Sequence, residues 1–249
     1  MIGLISYVKT STTNTLENIE LPSKGEQIPK ALYSVEEIET ILEHIHRGDI
    51  YETNFCQEFY AENTVLNPLH TYYKLNTISK PPFATFLKFD DKYLLSASPE
   101  RYLKKNGNSV VSQPIKGTAK RSENPEEDRF LKSALSSDEK ERSENIMIVD
   151  LVRNDLSKTA IKGTVKVDEL CKVYSFKQVH QLISTVSCQV KKDTHVVDII
   201  KDLFPMGSMT GAPKISAMKI IEEEEERDVE GEIKLSVTGK KGRHFAQTN

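Results

Sequence analysis

The spacing of apolar residues divides the chain into stretches of different character. Val35, Ile38, Ile41, Leu42 and Ile45 recur at helical spacing behind Ser34, with Glu37 as a capping-box partner and Gly48 as a stop. Over residues 82–117 the period shortens to that of strands. Runs at 83–89, 92–98, 101–105 and 109–115 are β-prone, and Asp90-Asp91 and Asn106-Gly107 between them are turn candidates. An antiparallel meander is the expected arrangement. A helix is predicted from Ser136 with Glu139, a second capping box, through Glu141 and Glu144 into 146–152. Apolar residues cover every side of that last stretch, which predicts burial. Strands are predicted at 163–167 and 183–190. Residues 206–212 read as a glycine-containing loop leading into a helix with Pro213 in its first turn. Residues 1–31, rich in Ser, Thr, Asn and Pro, show no sustained period.

Composition narrows the class. The 249 residues are 37% apolar and 29% charged, enough for a folded core. Thirty-four basic and 37 acidic side chains give a net charge of -3, without the basic field of a general nucleic-acid binder. No apolar run approaches the roughly 18–20 residues of a membrane span. The N-terminus carries no secretion signal. Three scattered cysteines, Cys56, Cys171 and Cys188, argue against a disulfide framework and for a reducing, cytoplasmic setting.

Several residues could carry chemistry, each beside a plainer reading. Glu141 and Glu144 stack on one helical face, either as a solvated charged surface or as hard-oxygen ligands for Mg²⁺. Lys116, ending a predicted strand, is a surface lysine or a nucleophile. Glu100 is a general acid or the ion-pair partner of Arg101. The 207–213 loop is a helix cap or a site for a small carboxylate or phosphate, and it lacks P-loop spacing. His180 is a packing histidine or a pocket residue.

The wording and order of the motifs go further than any one of them. Ser-Ala-Ser-Pro-Glu-Arg-Tyr (96–102), Pro-Ile-Lys-Gly-Thr (114–118), Glu-Arg-Ser-Glu-Asn-Ile-Met-Ile-Val-Asp-Leu-Val-Arg-Asn-Asp-Leu (141–156), Val-His-Gln-Leu-Ile-Ser-Thr-Val (179–186) and Gly-Ser-Met-Thr-Gly-Ala-Pro-Lys (207–214) occur in sequence. Gly48-Asp49-Ile50-Tyr51-Glu52-Thr53-Asn54 extends the pattern upstream. Together they resemble the chorismate-utilising enzymes, the family of anthranilate synthase component I, isochorismate synthase and aminodeoxychorismate synthase component I. Lys116 stands where anthranilate synthases typically have alanine, so the resemblance is to the aminodeoxychorismate synthase branch.

That resemblance implies an α+β fold of layered antiparallel sheets with flanking helices. It implies that Lys116 attacks C2 of chorismate while Glu100 protonates the departing C4 hydroxyl. Ammonia from a glutamine amidotransferase subunit then adds at C4, in the para-aminobenzoate and folate route. Glu141 and Glu144 match metal carboxylates for Mg²⁺. Gly117, Thr118, His180, Thr210, Gly211 and Ala212 match substrate-binding positions. Glu52, Cys56 and Glu58 depart from the Gln, Ser and Arg frequent upstream, Ser157 from a frequent glycine, and Gln181 from a frequent second histidine.

The expected organisation is a remnant layer or loop at 1–32, a partial chorismate-binding domain at 33–226 and a divergent polar tail at 227–249. The family's later motifs, with a second metal-carboxylate pair, have no counterpart in that tail. A truncated chain with little turnover of its own is therefore expected. The alternatives are anthranilate synthase component I, and a chain that binds a partner or ligand without chemistry.

Overall fold

The computed structural model describes residues 5–9, 35–54 and 66–225. In chain order the elements are β1 (Ile5–Lys9), α1 (Val35–Arg47), β2 (Glu52–Thr53), α2 (Pro68–Ser79), β3 (Phe83–Phe89), β4 (Lys92–Ser98), β5 (Arg101–Asn106), β6 (Ser109–Gln113) and β7 (Ile115–Lys120). They continue with α3 (Pro125–Ser137), α4 (Glu139–Ser157), β8 (Lys166–Ser175), β9 (Val179–Gln189), α5 (Val196–Leu203), α6 (Gly207–Thr210), β10 (Gly211–Ala212) and α7 (Lys214–Glu225). The mixture of helices and antiparallel sheets is α+β, as expected. Residues 227–249, the Ser34 cap, Cys56 and Glu58 lie outside the described residues, as does the 1–32 segment apart from β1. No helix among the described residues is long and apolar enough to cross a membrane.

The contacts divide the chain into two units. The first holds an antiparallel sheet of order β1-β4-β3, in which β3 and β4 are a hairpin turned at Asp90-Asp91. Asp90 takes the left-handed backbone (φ 52) that an aspartate tolerates. Leu95 and Ala97 are buried on β4, and Tyr72 of α2 packs on Phe86 with ring centroids 5.4 Å apart. Asn67 caps α2 by accepting from the His70 N–H at 3.0 Å, with Pro68 at the first turn.

The second unit spans residues 47–54 and 100–222. Its five-stranded sheet runs β5-β6-β9-β7, and β8 also pairs with β9. β9 is thus shared: its first half pairs with β7, its second half with β6, and its other edge with β8. α4 lies on this sheet. Ile148, Val149, Val152 and Leu156 pack against Val110, Val186, Cys188 and Val190, and Ile199 and Leu203 of α5 complete the core. This burial accounts for the all-round apolar stretch of α4.

Two expectations are corrected here. The single meander is two hairpins in different sheets, β3–β4 and β5–β6, because the chain changes units at Pro99–Glu100. The long helix does not begin at Ser136: that residue lies in the last turn of α3, and Asp138 caps α4 by accepting from the Glu141 N–H at 3.0 Å. Asp138, two residues after Ser136, is where the exposed N–H groups of the α4 start meet a side-chain acceptor, and its charge suits the positive end of the helix.

Candidate active site

Every proposed site residue falls in the second unit, and the strand carrying Lys116 organises it. β7 leaves register with β9 between Ile115 and Thr118, so Lys116 and Gly117 form an irregularity in the ladder. Gly117 has φ 89, and a Cβ there would lie 2.9 Å from Glu141 Oε2 and 3.2 Å from Leu182 Cβ. Only glycine lets α4 approach the strand this closely. The fully buried Asn145 stitches the irregularity to α4: its amide donates to the carbonyls of Lys116 (3.4 Å) and Leu182 (3.2 Å). Its Oδ1 accepts from Ser184 Oγ and, at 3.6 Å, from Cys171 Sγ.

Lys116 is 4% exposed, which removes the surface-lysine reading. Its Nζ donates to Oε1 of Glu52, itself 3% exposed, while the adjacent Tyr51 faces outward at 71%. Glu52 lies on β2, whose antiparallel partner is β10, with Glu52 opposite Ala212 and Thr53 opposite Gly211. The Tyr51 N–H donates to Ala212 O (2.7 Å) and the Asn54 N–H to Thr210 O (2.9 Å). The Asn54 amide adds a bond to Ser208 O at 2.9 Å. The loop expected to hold a substrate carboxylate is therefore fastened to the strand that holds the lysine.

Glu100 closes the circuit. Its Oε1 accepts from the Ile115 N–H at 3.3 Å and from Ser208 Oγ at 2.7 Å. The expected acid thus sits beside the residue preceding Lys116, and α6 reaches it through Ser208. α6 packs tightly on α4, since a Cβ at Gly207 would lie 2.1 Å from Leu151 Cδ2. Lys214 anchors the far end of the motif by donating to Asp155 Oδ2 (2.8 Å) and Leu203 O (3.0 Å).

Glu141 and Glu144 face this region from α4. Glu141 Oε2 is buried without a hydrogen-bond partner among the described residues. Burial, followed by the neighbouring Glu52 and Glu141, pushes the Glu144 carboxyl above its ordinary range, and Lys116 opposes that rise. Hard oxygens short of positive charge fit a divalent cation such as Mg²⁺. No group of three or more His, Cys, Asp or Glu able to hold a metal occurs among the described residues. A cation here would complete its shell with water or ligand oxygens, as Mg²⁺ commonly does.

His180 is placed apart from this circuit. It pairs with Ala119, its Nε2 lies 3.0 Å from Asp128 Oδ1, and its Nδ1 lies 2.9 Å from Ser175 Oγ. The neighbour across from Thr118 is the buried Gln181. Arg121 grips Asp128 with two bonds of 2.8 and 2.9 Å and donates to Phe176 O at 2.7 Å. The Arg121 hydrogen bonds, then the Ser122 N–H, hold the Asp128 carboxyl well below the usual carboxylate range, and His180 adds to this. Such a depressed group stabilises the fold above its unfolded value, about 3.9, and less as pH falls below that. Asp128→Asn is expected to lower the denaturation midpoint at pH 7, with a deficit that narrows below about pH 4. An equal deficit at about pH 7 and pH 2.5 would contradict the assignment.

Glu52, Asn145, Asp155 and Lys214 lie inside the motifs, but nothing in the sequence around them assigns them a role. For Glu52 a signal existed, an acid where glutamine is frequent.

A strand-borne buried lysine, a nearby carboxyl and a glycine loop paired with β2 come together in this unit. Residues 9–229 match the family of chorismate binding enzymes, and the chain belongs to that family. It is 40% identical over 188 residues to aminodeoxychorismate synthase component 1 of Escherichia coli (strain K12), covering 76% of this chain and 41% of that protein. It is also 40% identical over 185 residues to anthranilate synthase component 1 of Saccharolobus solfataricus, covering 74% and 44%. Among solved structures, anthranilate synthase component I from Streptococcus pneumoniae TIGR4 superposes with a TM-score of 0.69 at 30% identity, covering 82% of this chain and 48% of that one. The chain spans about two fifths of the length of these two curated relatives.

Proposed function

We propose that this site aminates chorismate at C4, the chemistry of aminodeoxychorismate synthase component I. The observation that carries the reading is Lys116, buried near the start of β7 beside Glu100 and the β2–β10 pair. The amine attacks C2 of the ring, and the C4 hydroxyl leaves as water with a proton from Glu100. Ammonia from a glutamine amidotransferase subunit adds at C4 and expels the lysine. Gly117 and Thr118 on β7, and Thr210, Gly211 and Ala212 at the loop, line the substrate, and the buried loop backbone offers a dry setting for its carboxylate. His180 supports the site indirectly, by fixing β9 against α3 through Asp128. Mg²⁺ held by Glu141 and Glu144 would screen a substrate carboxylate from both side chains.

The test is product analysis with chorismate, Mg²⁺ and ammonium salt at protein concentrations high enough to reveal a single turnover, since little multiple turnover is expected of this chain. The expected product is 4-amino-4-deoxychorismate, whereas accumulation of anthranilate would replace this reading with the anthranilate synthase one, to which relatives of equal identity belong.

A further inference from the structure

We propose that Glu52 is the positioning residue for the Lys116 amine, an assignment that rests on the functional reading above. Lysine has four rotatable side-chain bonds, and a nucleophile free to sample them reaches its attack geometry rarely. Here the backbone of Lys116 is held by Asn145 on α4, and the tip of the side chain is held by Glu52 Oε1. Both ends are pinned.

The pairing is not accounted for by fold stability. A buried ion pair contributes little unless every oxygen finds a partner. Glu52 Oε2 is buried with no hydrogen-bond partner among the described residues. A half-satisfied carboxylate kept in the interior points to a task for the oxygen that is engaged. An amine that donates one N–H to Oε1 directs its lone pair away from β2. Glu52 is set in turn by β10, because β2 and β10 form a two-stranded sheet of their own. The loop proposed to hold the substrate carboxylate and the amine proposed to attack the ring therefore share one support.

Reach and charge make opposite predictions for two conservative variants. Glu52→Gln keeps an oxygen at the same distance and loses the charge. Glu52→Asp keeps the charge and withdraws the oxygen by one methylene. The full chain and both variants are incubated with chorismate and Mg²⁺ without ammonia. The rate of covalent capture on Lys116 is followed by mass spectrometry, and chorismate affinity is measured by calorimetry with the Lys116→Met variant as the non-reacting reference.

We expect Glu52→Gln to capture within about threefold of wild type, and Glu52→Asp to be slower by at least about tenfold, with affinities for chorismate within about threefold of each other. A slow Glu52→Gln beside a near-normal Glu52→Asp would overturn the assignment in favour of a charge or proton-transfer role. Wild-type rates in both variants would overturn it in favour of a packing role. Failure of the wild type itself to capture chorismate would overturn the functional reading, and this assignment with it.

Discussion

Lys116→Ala is expected to reduce covalent capture of chorismate by at least about 10³-fold, because Lys116 is the one buried lysine among the described residues. The same variant is expected to lose about 3–5 kcal/mol of stability, since it strands the buried Glu52 carboxylate without its partner. The two losses have different causes and can be separated. Combining Lys116→Met with Glu52→Leu removes both charges and refills the space with apolar side chains of similar volume. That double variant should recover most of the denaturation midpoint while remaining unable to capture chorismate. A double variant as unstable as Lys116→Ala would show that the ion pair is not the source of the loss. Capture by either variant would remove Lys116 from the chemistry.

Gly211→Ala is the second large effect. A Cβ at this position would stand 2.3 Å from the carbonyl oxygen of Glu52, 2.9 Å from Thr53 Cα and 2.8 Å from Ala217 Cβ. Two of these neighbours are backbone, which cannot swing aside as a flexible side chain can. β2 and β10 must therefore part, and Glu52 is drawn away from Lys116 as they do. The expected cost is about 3 kcal/mol or more, together with loss of capture. Gly163→Ala is the matched control. Its φ of 81 disfavours a side chain, but nothing lies within 4 Å of the added carbon. It should cost about 1–2 kcal/mol and leave capture unchanged. Equal denaturation midpoints for the two variants would contradict the packing described for the loop.

The elements that were legible in advance owe their form to local chemistry. α1 carries a full amphipathic stripe, and β3 and β4 are bounded by turn residues that fix their ends, whereas the 109–115 run breaks at Pro114 into β6 and the start of β7. α2 and α3 were missed because neither buries a continuous apolar face: α2 has no buried residue and α3 has only Leu135. Their signals were the Asn-Pro pairs at 67–68 and 124–125, where a capping side chain precedes a first-turn proline. The site was legible in parts. Lys116, Glu100, Glu141 and Glu144 stood out by motif. The bond joining Lys116 to Glu52 spans 64 positions of sequence, and no local pattern encodes such a contact. Likewise one of the two hydrogen bonds of His180 goes to Asp128 of α3, a helix the apolar spacing did not reveal.

Lys116 is expected to form a covalent bond to chorismate on the way to amination, and peptide mapping shows whether it does. The full chain is incubated with chorismate and Mg²⁺ in the absence of ammonia, digested, and each lysine peptide weighed. The peptide containing Lys116 is expected to gain the mass of chorismate less one water, and added ammonium salt is expected to discharge it as 4-amino-4-deoxychorismate. An unmodified Lys116 peptide, or anthranilate released on adding ammonium, would contradict it.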